Sequence, residues 1–209
     1  TTNKQDITLK QVLTHSAGLK SWIPFYRVTT EDPLVYDTTF SHIASDRFCI
    51  KVSDDLYMCR EFQSVIFGTI YDSEVKQPGH YKYSDLGMIL MRYLIEQVTH
   101  TTLDRFVDSV FYQPMGLRTM TYNPLNKFGK TEIVPTENNA DFRKSLIHGY
   151  VHDPAAAMLG GVSGHAGLFS NSADVAAILQ MLMNGGFYNG KRFLAPETIR
   201  TFTKYQSIN

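Results

Sequence analysis

The chain has 209 residues, a little over one typical domain at ~150 residues per domain, so one domain with insertions is expected rather than a repeat array or a small disulfide scaffold. With 43% hydrophobic and 19% charged residues it belongs with globular chains that bury a core. Twenty Lys+Arg balance twenty Asp+Glu, so no net field is present to hold nucleic acid or an anionic membrane surface.

The longest apolar runs, Met88 to Met91 and Ala176 to Met183 interrupted by Gln180, fall far short of the ~20 residues of a membrane span. The polar stretch from Thr1 has neither a basic n-region nor an apolar h-region, so it does not read as a signal peptide. Because the sequence opens on Thr rather than Met, an excised piece of a longer protein is expected. Cys49 and Cys59 fit neither a Cys-x-x-Cys redox motif nor a zinc knuckle, and whether they pair is left open.

In chain order, Thr8 to Gln11 forms a capping-box pattern, with Leu9, Val12 and Leu13 at helical spacing and Gly18 as the stop. Pro24 to Asp55 mixes aromatic, Thr and Asp residues without periodicity and reads as irregular loop with a short strand or two. Leu56 to Tyr71 fits a helix that Pro78-Gly79 follows. Ser84 is placed to cap a long helix from Asp85 to Thr99, with Leu86, Ile89, Leu90, Tyr93, Leu94 and Val98 as its buried stripe.

Thr102 is placed to cap the next helix, which Pro114-Met115-Gly116 ends. Asn123 to Asp141 and Gly160 to Gly167 read as loops. Asn171 or Ser172 opens a helix that stops at Gly185-Gly186. Asn189-Gly190 predicts a type I′ hairpin, and Pro196 opens a last short helix. The absence of an alternating βαβ pattern speaks against a dinucleotide fold.

Three phrases carry chemistry. The first runs Ile7-Thr8-Leu9-Lys10-Gln11-Val12-Leu13-Thr14-His15-Ser16-Ala17-Gly18-Leu19. The second is Tyr83-Ser84-Asp85-Leu86-Gly87, followed by an apolar helix and Phe111-Tyr112-Gln113-Pro114-Met115-Gly116-Leu117. The third is Gly160-Gly161-Val162-Ser163-Gly164-His165-Ala166-Gly167-Leu168-Phe169-Ser170, with Asp174 and the helix to Asn184-Gly185-Gly186 behind it. Taken in this order they resemble the serine β-lactamase, penicillin-binding protein and esterase superfamily, closest to its class C and esterase-like branch.

That resemblance implies a serine nucleophile in a Ser-x-x-Lys element, a Tyr-x-Asn element that relays protons and holds the substrate amide, and a third Lys/His-x-Gly element on an edge strand. The second element stands here as Tyr83-Ser84-Asp85, with Tyr83 and Asp85 as catalytic candidates and Ser84 as a substrate-binding one. Asp85 replaces a neutral amide by a carboxylate, which accepts hydrogen bonds but cannot donate one to a substrate carbonyl. The bland alternative is that Tyr83 merely packs and that Ser84 or Asp85 is only an N-cap.

The one Ser-x-x-Lys in the chain, Ser73-Glu74-Val75-Lys76, follows the first phrase instead of preceding it and reads as a chance match. By resemblance the nucleophile is then expected upstream of Thr1 and the third element beyond Asn209. His165-Ala166-Gly167 has the His-x-Gly form but runs into a capped helix, so His165 is a substrate-binding candidate lining the acyl pocket, against the alternative of a loop histidine bonded to backbone.

The glycines at 160, 161, 164 and 167 lack the Gly-Lys-Ser/Thr of a phosphate loop. His148, His152, Asp153 and His165 are metal-ligand types, but Gly149 and Pro154 argue against a helix that would align them. No metal and no cofactor are expected. His152-Asp153 resembles a segment that precedes the Gly-rich loop in relatives, where a loop-locking role fits.

The expected fold is mainly α with short β-hairpin elements, the helical region of a β-lactamase-like fold with its central sheet mostly missing, and residues 1–209 as a single partial domain. The resemblance implies a parent serine hydrolase working through an acyl-enzyme on an ester, amide, β-lactam or cell-wall peptide, exported, periplasmic or envelope-associated in a bacterium. The chain by itself is expected to be inactive. A non-catalytic peptide- or glycan-binding descendant and a metal-dependent hydrolase are the alternatives. A small-molecule or peptide substrate is the expected partner, and a face left bare by a missing sheet would favour self-association.

Overall fold

The computed structural model describes residues 2–139 and 141–206. In chain order it contains α1 (Leu9–Leu13), α2 (Phe25–Thr30), α3 (Pro33–Thr39), β1 (Phe40–Ser41), β2 (Phe48–Lys51), β3 (Tyr57–Cys59), α4 (Phe62–Asp72) and α5 (Asp85–Thr99). It continues with α6 (Leu103–Val107), a π-helical turn (Asp108–Tyr112), α7 (Gln113–Met115), β4 (Thr121–Tyr122), two 3₁₀ turns (Pro124–Asn126 and Lys130–Glu132), β5 (Glu137–Asn139), β6 (Ser145–Ile147) and α8 (Pro154–Met158). The last elements are β7 (Leu168–Phe169), α9 (Ser172–Met183), β8 (Phe187–Tyr188), β9 (Lys191–Arg192) and α10 (Pro196–Thr203). The chain is thus mainly helical with short strands.

Among the described residues, those in Thr1–Leu94 and Asn123–Gly167 form one compact unit, and those in Ile95–Tyr122 and Leu168–Ser207 form the other. In the first unit β1, β3 and β2 make an antiparallel sheet in that order, pairing Phe40 with Met58 and Lys51 with Tyr57. β5 pairs with β6 beside it in sequence. The core of this unit gathers Phe25, Phe40, Val52, Met58, Ile66, Ile70, Leu86, Ile89, Phe142 and Met158. A smaller cluster of Val12, Ala17 and Leu19 packs with Met88 and Met91 of α5. In the second unit β4 pairs with β7, and Tyr112, Met115, Leu117, Met120 and Met181 form the core.

Helix ends with local chemistry fall where the sequence puts them. Thr8 Oγ1 accepts from the Gln11 amide while Gln11 Oε1 accepts from the Thr8 amide, completing the capping box of α1. Asn171 caps α9 through the Asp174 amide. Asn189 and Gly190 both hold positive φ, 47° and 82°, between β8 and β9.

Other expectations are corrected. Pro24 to Asp55 is not irregular throughout: it holds α2, α3, β1 and β2, with Asp32 capping α3 through the Leu34 amide. Leu56 to Tyr71 is not one helix, because Tyr57–Cys59 pair as a strand and α4 begins only at Phe62. Asn123 to Asp141 contains two 3₁₀ turns and β5. Thr102 makes no side-chain cap, and Glu96 Oε1 takes the Leu103 amide instead at 3.0 Å. On α5, Leu86 and Ile89 are fully buried, but Val98 is 70% exposed. Cys49 and Cys59, whose pairing the sequence leaves open, are both free thiols.

Candidate functional site

The site begins with how α1 stops. The Ser16 amide reaches the Gln11 carbonyl at 2.8 Å and the His15 amide reaches the Val12 carbonyl at 3.1 Å, a Schellman ending in which His15 takes the left-handed position at φ 54°. The predicted stop at Gly18 lies three residues further on. Residues 15–21 then run beside residues 76–85 as an irregular ladder. Gly18 O accepts from Lys76 N, Ser16 O from Gly79 N, His15 O from Lys82 N and Ser21 O from Asp85 N, each at 2.8 Å. Gly18 is required in this ladder, because at φ 72° an added Cβ would sit 2.5 Å from the Lys76 carbonyl oxygen.

This ladder delivers Tyr83, Ser84 and Asp85 to the start of α5. Ser84 is buried and its hydroxyl donates to the Lys20 carbonyl at 2.6 Å, which ties the ladder. The Ser84 amide donates to His15 Nδ1 at 3.2 Å. Tyr83 is half exposed, its ring 4.6 Å from the His15 ring, and its phenol feels the nearby Asp85 carboxylate. Desolvation, then Asp85, and then the Asp153 charge push the phenol above its ordinary value. Tyr83 is held as a neutral donor.

Asp85 and Asp153 both line a cavity of about 180 Å³, walled by Trp22, Ile23, Phe25 and Leu86 among others. Asp85→Asn removes the charge but keeps an acceptor oxygen. It is expected to lower the Tyr83 phenol pKa, read from NMR titration of a tyrosine-labelled chain. An unmoved titration would show that the carboxylate does not govern the phenol.

Asp153 Oδ1 accepts from His165 Nε2 at 2.9 Å and from the Ala156 amide at 2.7 Å, capping α8. A carboxylate only accepts, which places a proton on Nε2, and Nδ1 lies 2.8 Å from the Ser163 hydroxyl. The His165 side chain is 2% exposed and Ser163 is buried, so the array fastens the Gly-rich loop. Burial works against Asp153 ionising, but the bonds from His165 and the Ala156 amide outweigh it and hold the carboxyl below the usual range. The loop also lies close to α5: a Cβ on Gly164 would meet the Met88 carbonyl oxygen at 2.2 Å.

The sequence profile of the Beta-lactamase family matches residues 1–209. The chain belongs to the Beta-lactamase family. Among curated proteins it is 41% identical over 140 residues to one from Escherichia coli O157:H7 that carries the provisional name D-alanyl-D-alanine carboxypeptidase, a match covering 61% of this chain and 32% of that protein. A similarly named protein of Salmonella agona is 38% identical over 141 residues, 61% of this chain and 33% of that one. The chain thus spans about a third of the length of these relatives. A D-stereospecific amidohydrolase from Streptomyces superimposes with a TM-score of 0.55 at 18% identity, covering 100% of this chain and 55% of that one, and so shares the fold.

Other residues singled out in this β-lactamase-family chain lie elsewhere. Ser73 is buried, and its hydroxyl donates to the Ile70 carbonyl at 2.7 Å at the end of α4, while Lys76 Nζ pairs with Glu74 at 3.0 Å. They do not form a dyad. His148 Nε2 is 2.6 Å from the Ile133 carbonyl, and among the described residues no group of three or more His, Cys, Asp or Glu is arranged to hold a metal. The sequence reading passes over His15 and Ser163 as site residues. Their signal, one residue in the left-handed region and one buried hydroxyl, exists only once the chain is folded.

Proposed function

We propose that this chain is the central portion of a serine hydrolase of the Beta-lactamase family that works through an acyl-enzyme, with the two compact units read as parts of one partial catalytic domain. The ladder that sets Tyr83 two residues before the cavity-lining carboxylate of Asp85, at the start of α5, is the observation that carries the reading. A protonated phenol is suited to give a proton to a leaving group once acylation begins. The names of the curated relatives favour the terminal amide of a cell-wall peptide over an ester or β-lactam as substrate. They also favour the bacterial envelope as location, and no helix among the described residues is long and apolar enough to cross a membrane.

The chain alone is proposed to be inactive, since its one Ser-x-x-Lys has its hydroxyl and ammonium engaged apart from each other. A nucleophile and a central sheet from elsewhere in the parent would complete the site. Asp85 supports a second reading, a ligand-binding descendant without catalysis, because a carboxylate in the amide position cannot donate to a substrate carbonyl. Intact mass after incubation with a serine-directed phosphonate or penicillin probe separates the two. Labelling of a version extended at both ends, at a serine upstream of Thr1 and not in the short chain, supports the hydrolase. A label on Ser73 would make the short chain self-contained, and no label on either leaves the binding module.

A further inference from the structure

The left-handed position that ends α1 is one that glycine fills at least cost. This chain places a histidine there, with a φ of 54°. The conformation turns the imidazole back over the ladder. There Nδ1 accepts from the Ser84 amide at 3.2 Å, and the ring packs 4.6 Å from Tyr83 at 42° and 6.0 Å from Tyr81 nearly edge-on. That amide belongs to the residue between Tyr83 and Asp85. The His15 carbonyl also accepts from the Lys82 amide at 2.8 Å, so one residue grips the chain on both sides of Tyr83.

We propose that His15 is a positioning residue for Tyr83: its Nδ1, as acceptor of the Ser84 amide, fixes the backbone that carries the phenol, next to the residue Asp85 that lines the cavity. This rests on the reading of Tyr83 as the proton-handling group. The role requires the proton of the ring to sit on Nε2, because a ring protonated at Nδ1 would set a donor against a donor. The strained backbone of His15 is then the condition for that acceptor to reach a residue sixty-nine positions away.

Three variants separate acceptor from ring and from backbone. His15→Asn tolerates the left-handed region and offers an acceptor oxygen near the place of Nδ1. His15→Gly relieves the backbone but offers neither acceptor nor ring, and His15→Phe keeps a ring without an acceptor. In the parent protein, His15→Gly and His15→Phe are expected to slow acylation by the penicillin probe about tenfold or more, whereas His15→Asn stays near wild type, as a small misplacement of a reacting group would predict.

In the 209-residue chain the Tyr83 carbon resonance and its titration should shift in the Gly and Phe variants and hold in Asn, with the melting temperature of the Gly variant at or above wild type. A Gly variant that acylates and titrates like wild type overturns the proposal, as does an Asn variant that behaves like Gly. If the wild-type parent takes no label, the hydrolase reading fails, and the Tyr83 resonances still decide whether His15 positions it.

Discussion

Replacing Arg143 by alanine is expected to destabilise the protein by about 3–5 kcal/mol and to lower its melting temperature by about 10 °C or more. The Arg143 guanidinium has 0% side-chain exposure and pairs with Glu137 at 3.2 Å. It also donates to the carbonyls of Val52 at 3.4 Å and Val151 at 2.7 Å, and to that of His152. Burial pulls its pKa below the usual arginine value, opposed by Glu137, so the cation is expensive to keep in place and is kept by its partners. Removing it leaves buried carbonyls unpaired, which costs more than the net worth of the bonds themselves.

Arg143→Lys is expected to recover only part of the loss, since a point ammonium cannot reproduce a planar fork reaching two neighbouring carbonyls. Urea unfolding measures this directly. A loss under 1 kcal/mol for Arg143→Ala would mean that water replaces the guanidinium without cost. The effect bears on the site because Val151 and His152 lead directly into Asp153.

What could be read in advance follows from how local the determining interactions are. The start of α1, the start of α9 and the β8–β9 turn each depend on side chains within a few residues, so Thr8, Asn171 and Asn189-Gly190 announce them. Helices α2 and α3 bury one or two residues apiece, and Pro24 offers no capping side chain to α2, so neither pattern nor cap marks that helix. β3 failed for another reason. Tyr57-Met58-Cys59 is an apolar triplet next to a helix, separated from it by Arg60-Glu61 without Gly or Pro, and only pairing with β1 and β2 makes it a strand.

The site divides the same way. Tyr83, Ser84 and Asp85 are contiguous and legible through resemblance, and His165 through its glycine-rich phrase. The Ser84 hydroxyl donates to the Lys20 carbonyl, sixty-four positions away, a partner that no local pattern announces. His15 has no sequence mark, since the partner that its ring reaches lies sixty-nine positions away.

Asp153→Ala is expected to cost about 2–4 kcal/mol, combining loss of a helix cap with a buried imidazole left without its acceptor. The acid dependence gives a sharper test. The folded-state carboxyl lies below the ordinary aspartate range, with burial opposing the shift and the bonds from His165 and the Ala156 amide causing it. A depressed carboxylate contributes stability that is fully present above the unfolded pKa and is lost as pH falls through the folded one. The gap between wild type and Asp153→Asn should therefore be widest near neutrality and should close below about pH 4.

A gap that does not change with pH would show the carboxylate's charge to be irrelevant to His165. The same substitution has a second consequence that a purely structural cap would not have. Asp153 is one of the charges that raise the Tyr83 phenol, so Asp153→Asn should lower that phenol's pKa even where the fold is retained. Both readouts moving together would mean that the residue fastening the glycine-rich loop also helps keep Tyr83 protonated. The loop lock and the phenol would then share one carboxylate: its loss in acid would loosen the loop, while its effect on Tyr83 would be read only in the alkaline titration of the phenol.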